Sequence, residues 1–189
     1  MNSALSFELL TNTTYDHYIS VGKRAYNQHY THLWSNGDTS SYIQHSFTKE
    51  VLYREEADTN TELYLIKLGT DIAGILKITL KKSIGIYRED EALYVDKIYI
   101  QKEFTGLGIG KRTLDFITDR AKDLHKRLFF LEAMQKGPAL AFYLKNDFQI
   151  VGRTQIPFKG AIEEEKPMFI LIKELKPVDA LSSTTTHVF

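Results

Sequence analysis

The segment Thr105-Gly106-Leu107-Gly108-Ile109-Gly110-Lys111 lies between an apolar strand pattern, Leu93 to Gln101, and an amphipathic helix pattern running to about Leu124. A strand that turns through three alternate glycines straight into a helix places the chain among folds that mix sheet and helix. Glycines at these positions let the backbone approach a ligand without Cβ obstruction. The unpaired N–H groups at the helix start carry the positive end of its dipole. Together they describe an anion site, for which a phosphorylated cofactor is the natural guest.

Two familiar phosphate loops are tested by spelling. A Walker A loop needs Gly-x-x-x-x-Gly-Lys-Ser/Thr, but Thr105 stands where the first glycine belongs and Arg112 where the hydroxyl belongs. A Rossmann loop needs Gly-x-Gly-x-x-Gly early in the chain. Here the third glycine comes one residue early and the unit sits past mid-chain, although Glu132 lies at a tolerable distance for the acidic partner.

At 189 residues the chain fits one domain, 1–175, followed by a Ser- and Thr-rich segment, 176–189, that reads as a disordered tail. Twenty-four basic and 24 acidic side chains leave no global field to hold nucleic acid or an anionic membrane, so charged ligands must be recognised locally. The absence of cysteine excludes disulfides, thiolate metal sites and a thiol nucleophile. Met1 to Glu8 lacks a basic segment followed by an apolar run, and no window approaches the length of a membrane span. A cytoplasmic protein is expected, with small-molecule partners and, as one form of assembly, a homodimer.

The element order begins with a short strand, Phe7 to Leu10, and a helix from about Tyr15 to Tyr30 with Tyr15, Ile19, Gly22, Tyr26 and His29 on one face. After a turn at Asn36-Gly37-Asp38, Thr39 or Ser40 caps a second helix reaching roughly Ala57. Segments 61–68 and 72–82 flank Gly69-Thr70-Asp71 as a hairpin. Leu76, Ile78 and Leu80 alternate there with Lys77, Thr79 and Lys81, which predicts one wet face. The glycine unit follows. A strand from Leu128 to Ala133 is expected to run parallel to the one before the glycines. Gly137-Pro138 opens a short helix to about Asn146, and strands from Phe148 to Arg153 and Met168 to Leu175 end the domain.

Within that short helix stands Ala139-Leu140-Ala141-Phe142-Tyr143-Leu144-Lys145-Asn146-Asp147-Phe148. This segment resembles the Ala-x-x-Phe-Tyr-x-x-x-Gly-Phe motif of the GNAT superfamily of acetyl-CoA-dependent N-acetyltransferases. The glycine string resembles the same superfamily's Arg/Gln-x-x-Gly-x-Gly/Ala turn, with Gly108 and Gly110 in the glycine positions. The element order is also that of GNAT proteins. The resemblance implies an α/β (α+β) fold: a central mixed, mostly antiparallel sheet, a parallel strand pair splayed around the cofactor, and helices on both faces.

It further implies that acetyl-CoA is the co-substrate, with no metal, and that an amine attacks the thioester directly. Cofactor contacts fall on Ile98, Tyr99 and Ile100, whose backbone groups would hold the pantetheine arm, on Thr105, Gly106, Leu107, Gly108, Ile109, Gly110 and Lys111, and on Phe142. Tyr143 becomes the candidate general acid for the leaving thiolate. Read from residues alone, Phe142 and Tyr143 equally fit the packing face of a short helix, and Ile98 to Ile100 an ordinary buried strand.

The general base is open among Asp96, Glu132 and the more remote Glu91, with Glu132 slightly preferred because it should lie near the splay. Each also fits a surface or paired carboxylate. For the acceptor, Tyr30 and Trp34 are candidate wall residues able to face a cation, with packing of the tryptophan into the core as the alternative. His29-x-x-His32 and His45 lack clustered carboxylates at ligand spacing and read as hydrogen-bonded or solvated residues, not metal ligands.

The layout from Trp34 through the second helix, with Ile72-Ala73-Gly74 and Asp96 to Ile100, resembles PaiA-type polyamine acetyltransferases. That resemblance implies a primary amine acceptor, with Glu163-Glu164-Glu165 or Glu89-Asp90-Glu91 as acidic company for a polycation, or simply as solvated loops. Two alternatives stand beside a small-amine enzyme: a protein or peptide N-acetyltransferase, and a non-catalytic acyl-CoA-binding regulatory module. The chain departs from the family pattern at Thr105, where Arg or Gln is usual, with Lys111 a candidate to compensate. It departs again at Lys136-Gly137-Pro138, where Asn is frequent, and at Asp147, which replaces the glycine of Gly-Phe.

Overall fold

The computed structural model describes residues 4–176. All but the first residue of the expected tail lies outside them. The strands are β1 (Leu5–Leu9), β2 (Thr61–Leu68), β3 (Asp71–Thr79), β4 (Ala92–Ile100), β5 (Leu128–Met134), β6 (Gln149–Gln155) and β7 (Pro167–Glu174). The helices are α1 (Tyr15–Tyr30), α2 (Ser40–Ser46), α3 (Lys49–Ala57), α4 (Ile109–Asp123) and α5 (Pro138–Lys145). Among the described residues no helix is long and apolar enough to cross a membrane.

The strands form one sheet in the order β1-β2-β3-β4-β5-β7-β6, antiparallel throughout except for the parallel β4–β5 pair. One face packs on α4 through Ile109, Leu114, Ile117 and Ala121, with Leu140, Phe142 and Tyr143 of α5 alongside. The other face is covered by Tyr15, Tyr18 and Tyr26 of α1, by Phe47, and by Leu52 of α3. The expected mixed, mostly antiparallel architecture with helices on both faces is the one observed.

Two local departures follow from burial. The single helix expected from Ser40 to Ala57 is broken in two, because Phe47 leaves helical geometry and is fully buried against the aromatic cluster. Thr48 restarts the chain as a cap, its Oγ1 accepting from the Val51 N–H at 3.3 Å. The hairpin of β2 and β3 has no wet face in its central stretch. Lys77, placed by alternation among solvated residues, is 13% exposed and bridges Glu55 of α3 and Asp96 of β4. A lysine can occupy a covered sheet face when carboxylates from neighbouring elements meet it there.

Two irregularities of β4 shape the centre of the molecule. Val95 pairs with Ile78 and Lys97 with Lys77, so Asp96 is an extra residue, a β-bulge. On the other side, β4 and β5 pair only from Ala92↔Leu128 to Val95↔Leu131. Beyond the bulge the two parallel strands separate, so Asp96–Ile100 and Glu132–Met134 border an open wedge.

Candidate active site

The wedge leads into a cavity of about 340 Å³. β4 contributes Tyr94 to Tyr99, β5 contributes Leu131 to Met134, α1 contributes Tyr26 and Tyr30, and α5 contributes Ala139 and Tyr143. Strand alternation explains who faces it. Gln101 N donates to Ala73 O on β3 at 2.8 Å, so the N–H and C=O groups of Ile98 and Ile100 turn the other way, toward the wedge. The Ile100 carbonyl lies 2.9 Å from His29 Nε2 of α1.

At the end of β4 the chain makes a short 3-10 turn, Lys102–Phe104, and enters the glycine segment. α1 holds this connection in place. The Lys102 N–H donates to Gln28 Oε1 at 2.8 Å, while Glu103 receives Gln28 Nε2 at 3.1 Å and Arg24 at 2.6 Å. Gly106 and Gly108 have φ of 78° and 75°, a left-handed backbone that disfavours other residues. Nothing approaches within 4 Å of where their Cβ atoms would stand. Gly110 has a different reason: a Cβ there would sit 3.2 Å from Phe142 Cζ, so the ring of α5 lies directly on the first turn of α4. The backbone N–H groups of Gly106 to Lys111 meet no acceptor among the described residues. That is the cradle an anionic diphosphate requires.

The side chains of that loop are turned away from the cradle. Thr105 Oγ1 donates to the Lys102 carbonyl at 2.7 Å, and Lys111 pairs with Asp115 one helical turn on. Leu107 is exposed and Ile109 buried in the α4 core.

Tyr143 reaches the cavity from α5, wedged between Phe142 and Phe148 at ring centroid distances of 5.3 Å each. Its hydroxyl has no hydrogen-bond partner among the described residues and is held protonated well above the usual tyrosine range, by burial first and by neighbouring Tyr30 second. Across the wedge Glu132 has a raised pKa. Burial is the main cause, the charge of Asp96 adds to it, and Lys82 partly offsets it. Asp96 is held low: burial opposes this, but Lys97 and Lys77 together outweigh it. Glu91 is engaged by Arg88 and Arg127 at the opposite end of β4 and takes no part in the cavity.

The acceptor wall is only partly as expected. Tyr30 lines the cavity, but Trp34 does not: it is 2% exposed, its Nε1 donates to Tyr26 Oη at 3.0 Å, and it packs on Phe158. The wall is instead built by Tyr26, Tyr42 and Tyr99, with Tyr42 and Tyr99 hydroxyls 2.5 Å apart. Both acidic runs lie elsewhere. Glu163 and Glu165 are paired with Lys166 and Lys136, and Asp90 and Glu91 with Arg88. The residues sequence reasoning missed are Glu55, Lys77 and Lys97. Their signal was faint, since a lysine in an alternating strand ordinarily marks the solvent side. Among the described residues no group of three or more His, Asp or Glu side chains is placed to hold a metal ion.

A splayed parallel pair, a bulged strand and a backbone anion cradle define a class of acyl-transfer folds built around a nucleotide thioester. The profile of the Acetyltransferase (GNAT) family matches residues 24–148, and the chain belongs to that family. PaiA N-acetyltransferase from Thermoplasma acidophilum, solved in complex with coenzyme A, superposes with a TM-score of 0.70 at 17% identity over 91% of this chain and 99% of that one. A GNAT family acetyltransferase from Elizabethkingia anophelis with acetyl-CoA bound gives 0.52 at 21% identity, over 68% and 84%. At these identities the likeness is one of fold. By sequence, an uncharacterized N-acetyltransferase in the pepI 3′ region of Lactobacillus delbrueckii subsp. lactis is 20% identical over 114 residues, 60% of this chain and 66% of that protein, just under two thirds of its length.

Proposed function

We propose that this protein is an acetyl-CoA-dependent N-acetyltransferase that acetylates a primary amine of a small molecule. The observation that carries the reading is the wedge between β4 and β5, open beside the glycine cradle and walled by Tyr143 on one side and Glu132 on the other. Acetyl-CoA supplies the activated acetyl group as a thioester. The free N–H groups of Gly106 to Lys111 would hold its diphosphate, with Phe142 packed beneath the first turn of α4. The inward-turned backbone of Ile98 and Ile100, with Tyr99 between them, would bind the pantetheine arm and place the acetyl carbonyl in the wedge.

Glu132 takes a proton from the incoming ammonium, directly or through water. Its raised pKa brings it closer to the pH at which such a transfer is efficient. Tyr143 donates to the departing sulfur and is fully protonated at neutral pH, as an acid must be. Tyr26, Tyr30, Tyr42 and Tyr99 enclose the acceptor, and a cavity of about 340 Å³ suits a compact amine better than an extended peptide. A polyamine is the finer version of this reading, for which Glu132 is the cavity carboxylate without an ion pair among the described residues, Asp96 and Glu55 being engaged by lysines. A cytoplasmic setting agrees with a chain that has no cysteine. A homodimer would draw on the edge strand β6, where Ile150 and Val151 are exposed, and light scattering tests it.

Release of free thiol from acetyl-CoA, measured with a panel of amines, polyamines and peptides, tests the activity. Tyr143→Phe is expected to lower kcat by roughly 100-fold or more while calorimetric binding of acetyl-CoA is retained. Turnover of peptides alone would overturn the small-amine reading, and binding without any turnover would make the protein a non-catalytic module.

A further inference from the structure

Four charged side chains meet on the cavity side of the bulge, and they are not equally satisfied. Lys77 Nζ is 2.7 Å from Glu55 Oε1 and 3.0 Å from Asp96 Oδ2. Lys97, 7% exposed and on the cavity lining, makes one ion pair among the described residues, a long one to Asp96 Oδ1 at 3.4 Å. An ammonium carries three donors, and leaving them unmet away from water is costly. Burial lowers the Lys97 pKa, with Asp96 and, more weakly, Glu55 opposing and the Lys77 charge reinforcing the effect. Lys77, less deeply buried, is held up by Asp96 and Glu55, which together outweigh its desolvation.

Once Glu55, Asp96 and Lys77 are set against one another, two cavity charges remain without a full partner. One is the Glu132 carboxylate on β5, which makes no ion pair among the described residues. The other is the Lys97 amine on β4. They stand on opposite walls of the wedge and on the same face of the sheet. A negative wall facing a positive wall across a small cavity is the complement of a zwitterion. A second ammonium pressed against Lys97, as a polycation would require, meets like charge where screening is weak.

We propose that Lys97 anchors a carboxylate on the acceptor, so that the enzyme acetylates a primary amine of the amino-acid type, with the ammonium toward Glu132 and the carboxylate toward Lys97. The inference rests on the acetyltransferase reading above and names the substrate class of that same site. It makes Lys97 a specificity residue: an amino acid completes the lysine's hydrogen bonding, whereas the matching amine without a carboxylate leaves it unmet.

The test compares amino acids with their decarboxylated counterparts, lysine with cadaverine, tyrosine with tyramine and histidine with histamine, together with spermidine, each with acetyl-CoA and the full chain. Wild-type kcat/KM is expected to favour the carboxylate-bearing member by roughly tenfold or more. In Lys97→Met that ratio should collapse at least about tenfold through KM. Lys97→Gln serves as a second variant if the methionine form fails to fold. A wild-type preference for spermidine or the decarboxylated amines, a ratio unmoved by substitution, or an equal fall in kcat for every acceptor would overturn the proposal. If no amine is turned over at all, the acetyltransferase reading fails. The lysine is then judged by calorimetry: N-acetylated amino acids should bind the coenzyme A complex of wild type and not that of Lys97→Met, and binding to neither overturns it.

Discussion

Glu132 sits where a charge is useful and uncomfortable at once. Its pKa is raised in the folded protein, so between the unfolded carboxyl value near 4.3 and its higher folded value the native state holds more protons than the unfolded chain. Stability therefore falls as pH rises through that window, and the penalty persists at neutral pH. Glu132→Gln should melt at a higher temperature than wild type at pH 7 and lose that advantage as pH drops below about 4.3. The same variant should lose turnover by roughly 100-fold. Calorimetric melting across the pH range checks the first effect and thiol release the second. An unchanged melting temperature together with full activity would remove Glu132 from the mechanism. Tyr143 is the complementary case, since burial holds its proton in place at neutral pH, and a proton given to the thiolate would be regained before the next turnover.

The strand, glycine turn and helix formed by β4, the 3-10 turn and α4 act as one element, and their glycines are specialised. Gly108→Ala would force an L side chain into φ of 75° with open space around the new methyl group. Folding should lose only about 1 to 2 kcal/mol of stability. Acetyl-CoA affinity should fall by more than that alone explains, since relief of the strained φ would shift the N–H groups that form the anion cradle. Denaturant unfolding measures the first and calorimetry the second, and equal affinity in both proteins would move the diphosphate elsewhere.

This element was also the most legible part of the sequence, because its glycines, flanking apolar periods and following helix are local signals. Tyr143 was legible for the same reason, through the segment ending in Phe148. The bulge at Asp96 was not, because it exists only in the mismatch between β4 and β3. The pairing of Lys77 with Glu55 joins residues 22 positions apart through the tertiary fold. Trp34 misled because a lone tryptophan near a site looks like a binding platform until Tyr26 is seen to satisfy its indole. The break between α2 and α3 was hidden because Phe47 suits a helix well; its burial, not its propensity, removes it from one.

At the scale of the molecule, the sheet is held together across its centre by only the short paired stretch of β4 and β5. A ligand filling the wedge would contact β4, α4 and α5 together and bridge what hydrogen bonding leaves apart. Coenzyme A at 100 times its Kd should add about 2.7 kcal/mol to the stability of the whole chain. For a protein of this size that corresponds to a rise in Tm of roughly 5 to 10 °C. Scanning calorimetry with increasing coenzyme A tests it, and a Tm independent of ligand would show that the folded chain does not bind coenzyme A.

The single extra residue at Asp96 acts as a change of parity. Before it, Leu93 and Val95 look toward α4. After it, Ile98 and Ile100 do, while Lys97 and Tyr99 are delivered to the cavity face. A β4 paired regularly, with Asp96 taking its own place in the ladder, could keep every residue and still exchange its inside for its outside from that point on. It would place a lysine and a tyrosine in the hydrocarbon core and two isoleucines where the acceptor belongs. Which chemistry faces the substrate is thus written as an odd or even count along one strand.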